Sequence, residues 1–115
     1  MIKLIGIIAG EPNSINSEII VKAWKRIKIK NKLFIIGNYK LLKNQINKIG
    51  LSVEMLEINS LKQIRNQKKI HILNIPFKFK SLFENNTIET KKYLFKCLDV
   101  AHNLAVNKKI KGFIN

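Results

Sequence analysis

Apolar positions change their spacing several times along this chain, and each change marks an element. Residues 2–9 form a nearly unbroken, β-branched apolar run, the pattern of a strand buried on both faces of a parallel sheet. From Asn16 the period becomes helical. Ile19, Ile20, Ala23, Trp24 and Ile27 recur with Lys22, Lys25, Arg26 and Lys28 between them, which predicts an amphipathic helix over 17–28. A second unit repeats the order: Leu33-Phe34-Ile35-Ile36 reads as a buried strand closed by Gly37-Asn38. Leu41, Leu42, Gln45, Ile46 and Ile49 then form a helical stripe that stops at Gly50, a residue suited to a left-handed cap.

Leu51–Ile58 and His71–Ile75 are predicted as third and fourth strands, joined by an irregular connection from Leu61 to Lys69. Pro76 removes a backbone donor and ends the fourth strand, and a polar loop runs through Ser81–Asn86. Thr87 is placed to cap a long helix over 88–107, whose expected buried stripe is Leu94, Cys97, Leu98, Ala101, Leu104 and Ala105. The apolar segment from Ile110 to Asn115 reads as a last strand. Strands alternating with helices predict an α/β fold, a mostly parallel sheet of βαβ units with right-handed crossovers and helices on both faces. Because the pattern closes on a strand with no helix after it, residues 1–115 are expected to form an incomplete α/β domain. No repeat, heptad or linker divides the chain.

Composition narrows the partners. The formal net charge is +15, a balance that raises nucleic acid or another polyanion. Only Arg26 and Arg65 of the 22 basic residues are arginine, the better phosphate and base-edge ligand, and the lysines are dispersed with isolated pairs such as Lys68-Lys69 and Lys91-Lys92. Lysine, isoleucine and asparagine fill 55 of 115 positions, the mixture that AT-rich codons impose, so solvated lysine faces are the preferred reading and nucleic-acid binding is expected to be weak. No apolar run reaches the roughly 18 residues of a membrane span. The single cysteine, Cys97, cannot form an internal disulfide, and the expected compartment is the cytoplasm.

Candidate chemistry is sparse. The turn Gly10-Glu11-Pro12-Asn13-Ser14-Ile15-Asn16-Ser17-Glu18 follows the first strand, where ligands of open α/β sheets gather. It matches neither the Gly-x-Gly-x-x-Gly fingerprint nor the Gly-Lys-Ser/Thr phosphate loop. Asn16 is the expected helix cap, with the hydroxyls of Ser14 and Ser17 beside it. His71, Cys97 and His102 are the soft or imidazole metal donors, but Cys97 and His102 lie about 140° apart around one helix and cannot close on one ion. Structural roles are expected for all three, and the seven acids show no spacing that demands acid/base work. Trp24 is expected in the core. Phe77, Phe79 and Phe83, interleaved with Lys78 and Lys80, could stack nucleic-acid bases, but packing of a long loop against the sheet is preferred.

The order strand, Gly10-Glu11-Pro12-x-x-Ile15-x-x-Glu18, helix, then Leu33-Phe34-Ile35-Ile36-Gly37-Asn38 and Leu41-Leu42, resembles the start of the 4-hydroxythreonine-4-phosphate dehydrogenase family. The family's turn continues Ala-Gly-Ile-Gly-Pro where this chain has Asn13-Ser14-Ile15-Asn16-Ser17. Thr87–Asn107 is similar to the family's long helix, and Phe113-Ile114-Asn115 falls in the strand that precedes its Pro-x-x-Lys segment. The resemblance implies the N-terminal part of an isocitrate/isopropylmalate dehydrogenase-like fold, in a homodimer that uses NAD and a divalent metal. The implied reaction oxidises 4-phosphohydroxy-threonine, with loss of carbon dioxide, in pyridoxal phosphate synthesis. Glu11 and Asn13 would face the cofactor. No catalytic or metal-binding residue of the family falls within these 115 positions, so the chain alone is expected to be inactive. Two alternatives remain open from the residues: a small basic module binding nucleic acid or another polyanion, and a relative that keeps the fold without the activity.

Overall fold

A computed structural model describes residues 4–28, 32–65, 68–83 and 87–115. The apolar runs become β1 (Ile5–Ile8), β2 (Leu33–Gly37), β3 (Met55–Ile58), β4 (Ile70–Asn74) and β5 (Gly112–Ile114). The helical stripes become α1 (Asn16–Arg26), α2 (Tyr39–Lys48) and α3 (Ile88–Val106). The strands form one parallel sheet in the order β3-β4-β2-β1-β5, with Ile7 level with Ile35 on one side and Ile114 on the other. The expected parallel α/β class is therefore the observed one.

β2 shows why its sequence has no polar residue. It lies between β1 and β4 and is buried along its whole length. Phe34 and Ile36 turn to one face, where they meet Ile8, Leu73, Tyr93, Cys97 and Ala101 under α3. Leu33 and Ile35 turn to the other, against Trp24 of α1, Leu42 of α2 and Ile70 and Ile72 of β4. Both faces thus carry helices, α1 and α2 on one and α3 on the other. Each fully buried side chain such as Phe34 or Ile72 contributes roughly 1.5–3 kcal/mol through its removal from water.

The largest departures from the expectation are at the start of β3 and on the buried face of α3. β3 begins only at Met55, because residues 51–54 carry the chain from Gly50 (φ 79°) around to the sheet edge, where the half-exposed β3 pairs, among the described residues, with β4 alone. α3 is capped as expected, by a reciprocal pair: Thr90 N–H donates to Thr87 Oγ1 at 3.2 Å and Thr87 N–H to Thr90 Oγ1 at 2.7 Å. Its buried stripe is rotated, however, and centres on Thr90, Tyr93, Cys97 and Ala101, leaving Leu94, Leu98, Leu104 and Ala105 at its margins. The polar hydroxyls of Thr90 and Tyr93 hid the true centre, since each is buried only because it is hydrogen-bonded. The expected start of the first strand at Ile2 and Lys3, residues 66–67 of the irregular connection and residues 84–86 of the polar loop lie outside the described residues.

Candidate functional site at the carboxyl edge of the sheet

β2 and β4 are neighbours, yet their chains leave the sheet toward opposite faces, β2 to α2 and β4 to α3. Such a divergence opens a crevice at the carboxyl ends of the strands, the usual ligand address in an open α/β sheet. Two amides stand at these strand ends, Asn38 buried and Asn74 half-buried. Asn38 Oδ1 accepts from Leu41 N–H at 2.9 Å and so caps α2, while Asn38 Nδ2 donates to the Ile75 carbonyl at 2.9 Å. The Asn38 backbone N–H donates to the Tyr93 hydroxyl at 2.8 Å, and Asn74 Oδ1 accepts from Tyr39 N–H at 2.9 Å. Gly37 must lack a side chain here: a Cβ would stand 2.8 Å from that of Ala9 and 3.1 Å from the Tyr93 hydroxyl. Burial raises the Tyr93 pKa far above the ordinary phenol value and pushes the Cys97 thiol up to about 12, so both stay protonated.

The turn after β1 stands one strand away. Gly10 takes φ +84°, and a side chain there would collide with Asn16 Nδ2. Asn16 is therefore not the expected cap. It is the first residue of α1 and its amide lies over Gly10, while Ile15 occupies the cap position without a side-chain acceptor. Ser14 takes over part of the role, donating to the Glu11 carbonyl at 2.6 Å and accepting from Asn16 N–H at 3.3 Å. Ser17 is buried within the first helical turn. Pro12 is buried, and its carbonyl accepts from Gln45 Nε2 at 3.0 Å; the same amide reaches the Leu82 carbonyl at 2.5 Å. Gln45 thus ties both edge loops to α2, a role its place in the helical stripe did not reveal.

Glu11 and Asn13 are both exposed at this turn. Glu11 borders an open depression of about 580 Å³ with Lys91, Leu94, Phe95 and Leu98 of α3. The other candidates are dispersed. His71 is buried in β4, where Nε2 accepts from Arg65 N–H at 3.4 Å and burial lowers its pKa, while His102 is exposed on α3 and Cys97 is sealed beneath it. Among the described residues no three His, Cys, Asp or Glu side chains converge, so these donors do not fit a divalent metal. Trp24 lies in the core and Phe77 stacks on Tyr93 with ring centroids 4.5 Å apart, as the packing reading expected.

A second depression, of about 230 Å³, opens just beyond β4, between Pro76, Phe77 and Lys78 on one side and Glu89, Lys92, Tyr93 and Lys96 of α3 on the other. Sequence reading missed it because its lysines come from separate elements.

No family model matches the chain, and no curated protein matches it in sequence. Similar solved structures include a candidate 4-hydroxythreonine-4-phosphate dehydrogenase from Salmonella typhimurium, 26% identical with a TM-score of 0.83. Two further structures are 4-hydroxythreonine-4-phosphate dehydrogenases from Burkholderia phymatum, 19% identical with a TM-score of 0.81, and Klebsiella pneumoniae, 18% identical with a TM-score of 0.75. The likeness covers 96%, 96% and 94% of this chain but 35%, 34% and 35% of those chains, so this chain spans about a third of their length. Its fold is the one that the resemblance of the Gly10–Glu18 turn implied. Among the described residues no helix is long and apolar enough to cross a membrane.

Proposed function

We propose that this chain is the amino-terminal third of an NAD-dependent dehydrogenase that oxidises 4-phosphohydroxy-threonine, with decarboxylation, in pyridoxal phosphate synthesis. One observation carries the reading: nearly the whole chain superimposes on about a third of the Salmonella typhimurium neighbour, at a TM-score of 0.83. The motif Gly10-Glu11-Pro12-x-x-Ile15-x-x-Glu18 occupies the strand-to-helix turn and supports the same reading. Residues 1–115 then form an incomplete α/β domain of a homodimeric cytoplasmic enzyme.

NAD supplies the hydride acceptor in such a reaction. This chain's part is to bind and orient. The Glu11 carboxylate and the Asn13 amide, both exposed beside the left-handed Gly10, are suited to ribose hydroxyls. Apart from the Asn16 N–H, which donates to Ser14 Oγ, the first turn of α1 has no side-chain acceptor from its cap residue Ile15 and suits a pyrophosphate. The metal donors must come from residues outside this third, since His71, Cys97 and His102 lie apart, and no step is assigned to a metal here.

The reading is tested by the coding sequence 3′ to codon 115. An open frame continuing into a Pro-x-x-Lys segment and a Gly-His-Thr-like motif supports it. A continuing frame that lacks both motifs overturns it.

A further inference from the structure

We infer that Gln45 is a positioning residue: its side-chain nitrogen makes the turn after β1 and the loop after β4 shift as one unit, so that a ligand held at Glu11 and Asn13 also sets the loop that leads to α3. The ligand part of this inference rests on the dehydrogenase reading of that turn. The tie between the two loops does not.

Gln45 stands where the helical stripe of α2 calls for an apolar side chain, and it is only 3% exposed. A buried amide is costly unless its hydrogen-bonding groups are satisfied, so its presence there has to be matched by partners. Two of its partners lie outside α2. Nε2 donates to the Pro12 carbonyl at 3.0 Å, 33 residues back along the chain, and to the Leu82 carbonyl at 2.5 Å, 37 residues ahead. β1 and β4 flank β2 in the sheet, and the loops that leave them therefore meet at one atom of α2, the helix that follows β2.

The chemistry is specific to this side chain. A primary amide nitrogen carries two hydrogens, one for each carbonyl, whereas a hydroxyl has one to give and an ionised carboxylate none. Those hydrogens lie in one plane at a fixed angle, so turning the amide to follow one carbonyl turns it away from the other. Movement of either loop is thereby felt at its partner.

The consequence is largest at Pro12. Proline has no N–H, so its carbonyl is the one backbone group through which Pro12 can be hydrogen-bonded. Pro12 is buried, and the exposed Glu11 and Asn13 adjoin it on either side, so holding its carbonyl holds both of them. The bonds of Ser14, by contrast, close the turn on itself: its Oγ donates to the Glu11 carbonyl and accepts from Asn16 N–H. Gln45 fastens the turn to the body of the protein. At the other loop, Asn38 Nδ2 already holds the Ile75 carbonyl where the chain leaves β4, and the Gln45 bond holds Leu82 further along.

The test is a comparison of proton–nitrogen correlation spectra of the full chain in a cycle of variants. Ser14→Ala disturbs the turn from within, and Gln45→Met removes both donors while keeping the length and helix preference of the side chain. Ser14→Ala alone is expected to displace the amide signals of Glu11 and Asn13 and also those of Leu82 and Phe83, with Ala101 of α3 unmoved as a control. In the Gln45→Met background the displacement at Leu82 and Phe83 should fall to the error of repeat spectra. Gln45→Asn, too short to span both carbonyls, should behave in the same way, and it replaces the methionine variant if that one does not fold. Addition of NAD should move the Asn13 and Leu82 signals with one shared dissociation constant, and Gln45→Met should leave only the Asn13 response. A Leu82 displacement that is the same with and without the Gln45 amide, or that is missing in both, would overturn the tie whether or not NAD binds. Linked loops that give no response to NAD would overturn the ligand part, and with it the cofactor reading of the turn, while the tie stands.

Discussion

The Tyr93 hydroxyl accepts a hydrogen bond from the Asn38 backbone N–H at 2.8 Å, joining α3 to the carboxyl end of β2 across 55 residues of chain. Both groups are buried, at 3% and 6% exposure, so neither can turn to water if the other is removed. Tyr93→Phe keeps the ring stacked on Phe77 but orphans the Asn38 donor. Leaving a buried donor unsatisfied costs about 1–3 kcal/mol. Urea unfolding of the variant should show a loss of that size, and a loss below about 0.5 kcal/mol would show that the bond contributes little.

The turn after β1 offers a contrast between two neighbours in space. Gly10→Ala forces a left-handed alanine against the Asn16 amide and should destabilise by roughly 1–2 kcal/mol or more. Asn16→Ala removes no cap and fills the first helical position with the best helix former, so its effect should lie within about 0.5 kcal/mol of zero. Asn16→Gly should be the worse of the two changes at position 16. A loss of about 1 kcal/mol in Asn16→Ala with Asn16→Gly nearly neutral would restore Asn16 as the cap.

His71 gives a pH dependence whose direction is fixed. Burial, reinforced by the nearby Lys69 charge, lowers its folded pKa below the ordinary 6.5, while hydrogen bonding to the Lys69 backbone opposes the shift in part. Above pH 6.5 both folded and unfolded chains hold it neutral and no stability is lost. As pH falls below that value the unfolded chain takes up the proton first, so stability declines until the folded value is passed. Protonation also turns Nε2 from acceptor to donor and breaks its bond from Arg65 N–H. Urea midpoints should fall as pH is lowered below 6.5, and His71→Gln should flatten that slope. An unchanged slope in the variant would assign the titration elsewhere.

Self-association of the chain should depend on salt. Among the described residues β5 pairs only with β1, and Ile114 and Phe95 are 56% and 71% exposed, which leaves a strand edge and apolar side chains open to a second copy. The charge of +15 holds copies apart while it is unscreened. Sedimentation equilibrium should therefore show the mean mass rising between about 0.05 and 0.5 M salt, with Ile114→Lys suppressing the rise. A monomer throughout that range would mean that the edge is already protected.

The elements themselves were legible because burial on two faces leaves an uninterrupted apolar run, as in Leu33–Ile36, and burial on one leaves a helical stripe, as in Leu41, Leu42, Gln45 and Ile46. Thr87 as the cap of α3 and Gly50 as a left-handed end were legible for the same local reasons. Contacts distant in sequence were not. Nothing local distinguishes Gln45 as the amide joining Pro12 to Leu82, or Tyr93 as the acceptor for Asn38. The Asn16 expectation failed because a good capping residue was judged by its type alone. The contact between its amide and Gly10 exists only once the turn is folded. Lys78, Lys92 and Lys96 looked like dispersed charge until the loop and α3 were placed side by side.

The most direct test is steady-state NAD reduction by a hybrid in which residues 1–115 replace the matching third of the Salmonella typhimurium neighbour, with 4-phosphohydroxy-threonine as substrate. The hybrid is first shown to fold by a cooperative melt. Turnover is expected, and Glu11→Ala in the same hybrid should lower it by about tenfold, equivalent to about 1.4 kcal/mol, without moving the melting midpoint. A cooperatively folded hybrid with no turnover would contradict the assignment of this chain to a dehydrogenase.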